Sequence, residues 1–195
     1  MGLSPTALHY KKQESEQVMQ NGKDFIFLVQ ATDAALGAEG LVIANQTDGS
    51  HSRSRELSDE QTKFGRVLGY GNLSETMELT AYGQTADPGQ QVTIDAILNG
   101  KQVKVWKVNT VLNAGGKHDA DFAYCLVESQ EESYPTEGFV EVTSTYQVLG
   151  QSVKGELPPL PISVIEFGKY AFEAPGESTG EYTSTKGEED PEAGA

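Results

Sequence analysis

The chain has 195 residues, of which 14 are basic and 29 acidic, giving a formal net charge of −15. Leu, Ile, Val and Phe make up about 22% of it, just above the ~20% below which a strongly charged chain stays disordered, so the core must be thin, a sandwich or a barrel. Such acidity disfavours tight DNA binding and adsorption to anionic membranes, no apolar run approaches the ~20 residues of a membrane helix, and the single Cys125 forbids an intrachain disulfide and fits a reducing compartment.

Residues 1–22 read as an N-terminal arm, 23–173 as the folded body and 174–195 as an acidic C-terminal arm. The opening 17 residues are polar and lack the apolar centre of a secretory signal. Met1-Gly2-Leu3-Ser4-Pro5-Thr6 matches the loose myristoylation pattern, but without a polybasic partner. Residues 24–31 (DFIFLVQA) form a mostly apolar run bounded by turn residues, which predicts a buried strand; residues 39–47 predict a second. Over 73–82 Leu73, Met77, Leu79 and Ala81 alternate with Ser74, Thr76, Glu78 and Thr80, and Glu75 interrupts the apolar side. Asp87-Pro88-Gly89-Gln90 starts a helix, with Asp as cap and Pro in the first turn. Val92, Ile94, Ala96, Ile97 and Leu98 supply its apolar stripe and Gly100 its stop.

Strand character returns over 101–110, with Val103 and Val105 on one face and Trp106 and Val108 on the other. Residues 121–128 place Phe122, Tyr124 and Leu126 together. Residues 139–149 alternate most cleanly: Val140, Val142, Ser144, Tyr146 and Val148 against Glu141, Thr143, Thr145 and Gln147. A last strand is expected over 163–172, after the breaker Pro158-Pro159-Leu160-Pro161. The fold class is therefore mainly β, an antiparallel β-sandwich or barrel of about seven strands with one flanking α-helix, a long loop and a flexible C-terminal arm.

Two segments fall outside this scheme. Residues 48–66 form a 19-residue connection, longer than structureless loops usually are, and with Arg53, Arg55, Lys63 and Arg66 against Asp48, Glu56, Asp59 and Glu60 their charges balance in a chain that is otherwise strongly acidic. Leu57 and Phe64 punctuate this segment and Val67 follows it, as expected of a piece that docks on a neighbouring copy. The acidic arm from 174 onward, rich in Gly, Glu, Ser, Thr and Pro, cannot bury a core.

No catalytic set emerges. His118-Asp119-Ala120-Asp121 could be drawn as a metal cluster, but strand alternation sends His118 away from both aspartates, and a solvated strand start is expected. Cys125 has no base beside it, and Gly69-Tyr70-Gly71 lacks the third glycine and the helix of a dinucleotide fingerprint. Lys104 and Trp106 face opposite Lys101 and Lys107, which splits a possible nucleic-acid patch and favours a core Trp. Neither enzyme activity nor a cofactor or metal is expected.

Gln46-Thr47-Asp48-Gly49-Ser50, followed by Arg55-Glu56-Leu57-Ser58-Asp59-Glu60-Gln61-Thr62-Lys63-Phe64-Gly65-Arg66, resembles the long-loop motif of major tail tube proteins of long non-contractile-tailed (siphovirus-type) bacteriophages. Asp87-Pro88-Gly89-Gln90-Gln91, residues 99–108 (NGKQVKVWKV) and Pro175-Gly176-Glu177-Ser178-Thr179-Gly180-Glu181 are similar to the same family, so the resemblance runs with gaps from about Lys23 to Glu181. It implies a virion protein of the tail, assembled in the host cytoplasm, whose copies close into hexameric rings that stack into a tube. The implied partners are other copies, a tape-measure protein in the lumen, tail terminator and distal tail proteins at the ends, and double-stranded DNA in transient, non-specific passage; no membrane is involved.

The resemblance carries inter-subunit contact onto Asp48, Arg53, Arg55, Glu56, Leu57, Asp59, Glu60, Lys63, Phe64 and Arg66, and inter-ring contact onto Pro175, Glu177, Thr179 and Glu181. Some relatives carry a folded module where this sequence shows only the tail after Phe172. Ser74, Thr76, Glu78 and Thr80, with Glu141, Thr143, Thr145 and Gln147, are the expected lumen-facing rows, since they hold short polar or acidic side chains and no Lys or Arg. The competing readings are the tube subunit of a bacterial contact-dependent secretion system and a β-sandwich binding module.

Overall fold

A computed structural model describes residues 19–43, 45–161 and 164. Among the described residues of 19–161, eight strands and one α-helix follow a short 3-10 turn at Gly22–Asp24: β1 Phe25–Ala31, β2 Leu41–Val42, β3 Gln46–Thr62, β4 Gly65–Tyr82, α1 Pro88–Asn99, β5 Gln102–Leu112, β6 His118–Ser133, β7 Glu141–Val148 and β8 Val153–Leu157. They form one antiparallel sheet in the order β2-β1-β5-β6-β7-β4-β3, with β8 added to the first half of β6.

The sheet curls, and its inner face is the main core. Phe27, Val29, Met77, Leu79, Val103, Val105, Cys125 and Tyr146 meet there, and Ala96 of α1 packs on them. A smaller core lies on the outer side of β1, β5 and β6, where Leu28, Val108 and Ala120 are covered by Trp106, Leu157, Leu160 and Val164. The two cores explain why both faces of β5 are apolar, as its alternation predicts. Where β3 comes round to β1, the side chain of Gln46 closes the seam. Its Oε1 accepts from the Phe27 amide at 2.8 Å, and its Nε2 donates to the Phe27 carbonyl at 2.7 Å and the Ile43 carbonyl at 3.0 Å.

The caps of α1 are those the sequence predicts. The Asp87 carboxylate accepts from the Gln90 amide at 2.8 Å, and Gly100 closes the helix with a left-handed φ of 62°. Its buried face differs from the predicted stripe. Gly89, Gln90, Thr93 and Ala96 are buried, whereas Ile97 and Leu98 are exposed. Small residues win because the first turn lies against β2's end: a Cβ on Gly89 would stand 2.8 Å from Ile43 Cγ1 and 3.1 Å from its backbone. The Thr93 and Tyr146 hydroxyls, 3.0 Å apart, fasten the helix to the sheet.

Three expectations about elements change. The strand predicted over 39–47 is two pieces, because the chain turns at Asn45 with φ 56° between β2 and β3. The 19-residue loop is instead the length of β3, a two-residue turn and the start of β4. It escaped recognition because its inward positions hold His51 and Arg53 rather than apolar residues. β8 was not anticipated, and the strand expected over 163–172 lies outside the described residues except Val164, which is helical rather than extended, its amide donating to the Pro161 carbonyl at 2.9 Å.

Candidate assembly surfaces

Strand register brings the two predicted polar rows side by side. β4 pairs with β7 so that Thr76 faces Gln147, Glu78 faces Thr145 and Thr80 faces Thr143. Thr76 Oγ1 donates to Gln147 Oε1 at 2.9 Å, and the Thr80 and Thr143 hydroxyls are 3.0 Å apart. The face continues onto β3, where Ser54, Ser52, Ser50 and Asp48 lie opposite Ser74, Thr76, Glu78 and Thr80. It also continues onto β6, where Ser129, Glu131 and Ser133 lie opposite Thr145, Thr143 and Glu141. Four strands thus present Asp48, Glu78, Glu131 and Glu141 among Ser and Thr, with no Lys or Arg at these positions. The β3 and β6 contributions were missed in the sequence because 48–66 read as loop and the β6 strand was expected to end at Glu128.

Both borders of this face are free. β3 is the last strand of the sheet, and β5 stops opposite Leu126, leaving the second half of β6 paired only with β7. An unpaired strand edge is a template for another strand.

Beyond Arg55 the β3–β4 hairpin leaves the sheet as an arm. A bulge places Glu56 opposite Gly71 and Asn72, and a Cβ on Gly71 would lie 3.0 Å from Glu56 Cβ. Pairing resumes from Leu57 with Tyr70 to Thr62 with Gly65 around a Lys63-Phe64 turn. Leu57, Val67 and Leu68 are exposed, Tyr70 is 80% exposed, and Phe64 at the tip is fully so. Arg66 and Asp59 form a bidentate ion pair at 2.7–3.0 Å across the arm. Arg55, Glu56, Glu60 and Lys63 are solvent-exposed along it.

Arg53 is placed differently from Arg55, Lys63 and Arg66. It belongs to a charge cluster at the arm's root that the sequence reading did not find. Glu75, 2% exposed, accepts from Arg53 Nε at 2.7 Å, from the Ser152 amide at 2.8 Å and from its hydroxyl at 2.5 Å. His51 Nε2 lies 2.6 Å from the same carboxylate, while its Nδ1 faces Lys107 Nζ at 3.3 Å and Arg53 Nη2 at 3.4 Å. Lys107 pairs with Asp121 at 2.7 Å.

A ring nitrogen facing two cations must accept and one facing a carboxylate must donate, so the geometry assigns a neutral His51 protonated on Nε2. Burial, with the Arg53 and Lys107 charges, pushes the His51 pKa below its ordinary value. Burial alone would raise Glu75, but the bonds from Ser152 and His51 and the charge of Arg53 hold it at about 2. Asp121, which burial would raise, is likewise held low by Lys107. Two carboxylates and two cations then balance, as a buried cluster requires. The available sequence signal was Glu75 interrupting an apolar row.

The residues set aside in the sequence behave as follows. His118 is buried rather than solvated, its Nδ1 donating to the Asn109 carbonyl at 2.9 Å, because β8 covers that half of β6. Cys125 is fully buried, and burial pushes its thiol up to about 12. Trp106 stacks near Phe122, ring centres 5.1 Å apart, in the outer core. Among the described residues no group of three or more His, Cys, Asp or Glu could hold a metal, and no helix is long and apolar enough to cross a membrane. Pro175, Glu177, Thr179 and Glu181 lie outside the described residues.

A curled antiparallel sheet with one flanking helix, a cation-free polar face between two open edges and an overlong hairpin defines a structural β-protein of the tail-tube class. The chain belongs to the phage tail tube protein family, which matches residues 19–154. It is 46% identical over 166 residues to the tail tube protein gp17.1* of Bacillus phage SPP1, covering 84% of this chain and 63% of that protein. It is 27% identical over 124 residues to a putative tail protein of Staphylococcus phage phiMR11, covering 63% of this chain and 65% of that one. The chain therefore spans just under two thirds of the length of these relatives. Among solved structures, the SPP1 tail tube superposes with a TM-score of 0.70 at 41% identity, covering 83% of this chain and 95% of that one. The tail of a gene transfer agent particle shares the fold, with a TM-score of 0.55 at 16% identity over 69% of this chain and 98% of that one.

Proposed function

We propose that this chain is the repeating subunit of a phage tail tube in the virion, six copies closing into a ring and rings stacking around a bore through which DNA passes. The observation that carries the reading is the four-stranded acidic face with an open edge on each side. The β3 edge of one copy completes the free half of β6 on the next, so that a ring removes both edges that border the polar face. Six copies of four strands spaced about 4.8 Å apart enclose a ring at least about 37 Å across between backbones. Its lining is Ser74, Thr76, Glu78, Thr80, Glu141, Thr143, Thr145 and Gln147, with the β3 and β6 positions beside them. Without Lys or Arg this lining cannot hold phosphates by releasing counterions, and DNA slides past. The arm, with Leu57, Phe64 and Tyr70 exposed, reaches onto neighbouring copies, and the C-terminal arm from Pro175 to Glu181 contributes between rings. A tape-measure protein fills the bore before DNA does, and terminator and distal tail proteins close the ends.

The phage reading stands above a secretion tube because likeness at 41–46% identity leads to the SPP1 tail tube, whereas the likeness to injection-system tubes, at 11–14% identity, is of fold alone. The test is negative-stain microscopy and ultracentrifugation of the purified chain at rising concentration. Hollow sixfold tubes are expected, more abundant as salt screens the charge of the copies toward physiological strength. A monodisperse monomer under every condition overturns the reading. Glu78→Lys with Glu141→Lys should leave tubes intact and slow DNA delivery.

A further inference from the structure

The strand ladder ties the β3–β4 hairpin to the rest of the sheet only as far as Thr76, which pairs with Gln147 of β7. From Glu75 to the tip the two strands pair with each other. Side chains take over where the ladder stops. The Glu75 carboxylate gathers the Ser152 amide and hydroxyl from the β7–β8 connection, and Arg53 Nη2 donates to the same hydroxyl at 2.9 Å. His51 of β3 is enclosed by charge from every side. Its Nε2 donates to Glu75 of β4, its Nδ1 faces Lys107 of β5 and Arg53 of its own strand, and Asp121 Oδ2 of β6 stands 3.7 Å from Nδ1. Around these lie Lys154 of β8, in register with Asp121, and the Cys125 thiol of β6, which burial keeps protonated. Just past Arg55 the register shifts and the arm begins.

We propose that this cluster sets the direction in which the arm leaves the body, that His51 is a positioning residue for assembly, and that the setting holds only while its ring is neutral. The inference rests on the tube reading above, in which neighbouring copies use the arm. A second proton on the ring would put an N–H at Nδ1 against the donors of Lys107 and Arg53, 3.3 and 3.4 Å away. It would also leave three cations against two carboxylates in a buried site. Arg53 is the more exposed of the two neighbouring cations, so it is the one displaced, and its bonds to Glu75 and Ser152 go with it. In the released form the ring meets water and takes its proton near the ordinary value of about 6.5. The seated form is therefore favoured above that pH and loses ground by up to about tenfold per pH unit below it. A ring of six copies compounds the loss. The lumen carboxylates act in the opposite sense, since their protonation nearer about pH 4 lowers the repulsion between copies.

The experiment follows the tube yield of the full-length chain by sedimentation and microscopy between about pH 7.5 and about pH 5, at fixed ionic strength, with circular dichroism confirming the fold. The parent is expected to lose tubes by about tenfold or more across this range and to recover them when the pH is returned. His51→Gln keeps a donor for Glu75 and an acceptor for Lys107 but takes no proton. Its yield at neutral pH should lie within about threefold of the parent and stay there in acid, with the other two histidines, His9 and His118, unchanged. Hydrogen exchange in the parent, below the concentration of assembly and corrected for intrinsic rates, supplies a second reading should the variant fail to fold. Protection should fall in acid over residues 51–55 and 73–76 while 103–105 and 123–125 keep theirs. A parent yield that is flat with pH, a His51→Gln yield that falls in parallel with it, or exchange at the arm's root that ignores acid would each overturn the positioning assignment and leave the tube reading in place. Failure of the parent to form rings or tubes at neutral pH would instead overturn the tube reading, and this inference with it.

Discussion

Between Gln46 and Arg55 the β3–β4 hairpin is built into the body, whereas between Leu57 and Tyr70 the same two strands project with no core behind them. Both halves have the same pairing and the same period. What differs is what stands across from the inward side chains. In the lower half Met77 and Leu79 meet the core, and His51 and Arg53 meet Glu75. In the upper half Leu57, Leu68 and Tyr70 meet water. Secondary structure is therefore no guide to where stability resides in this hairpin: the root contributes to the fold of one copy, and the arm, with its apolar side chains in water, contributes little to it.

The sharpest way to break the contrast is at Glu75. Replacing it with Leu leaves the Ser152 amide and the buried His51 Nε2 without their acceptor, and each unsatisfied buried donor costs about 1–3 kcal/mol. Urea denaturation should show that loss, and hydrogen exchange should show faster exchange through the root of the arm. Acid should act on the same cluster. Glu75 titrates at about 2 when folded against an ordinary 4.5, so its contribution is complete above pH 4.5 and lost as pH falls toward 2, about 3 kcal/mol in all. His51, lowered by burial, adds a loss that begins as pH falls below its ordinary 6.5, because the unfolded chain takes the proton first. Between pH 4.5 and 3 stability should fall less steeply in Glu75→Gln than in the parent, while the decline that begins near pH 6.5 remains.

Gly89→Ala forces a methyl into Ile43 and should cost about 1–3 kcal/mol, read as a lowered urea midpoint. At the small end, Leu57→Ser with Tyr70→Ser should change the stability of the isolated chain by no more than about 0.5 kcal/mol while tube formation is lost. A large fall in stability from this last pair would mean that the arm packs within its own copy.

The body was legible in the sequence where apolar and polar residues alternate against a core, as in β7 and the second half of β4, and where capping chemistry is local, as at Asp87 and Gly100. The two polar rows could be read for the same reason. The hairpin could not, because its inward positions are His51 and Arg53, whose partners lie 24 and 22 residues away at Glu75. Periodicity identifies a strand by what it buries, and a strand that buries charge against charge carries no such mark. The helix stripe failed differently: close approach at Gly89 selected the small side of α1 and turned Leu98 outward. His118 was misjudged because β8 went unseen.

The closing stitch at Gln46 has a chemical consequence. One carboxamide there stands in for a missing stretch of strand ladder, donating to two carbonyls and accepting from one amide. Hydrolysis of that amide to a carboxylate, as in slow deamidation, would keep the acceptor and destroy both donors, leaving a negative oxygen against two carbonyl oxygens. The seam would then repel itself, so one atom exchanged at one residue is enough to turn the closure of this body into its weakest join.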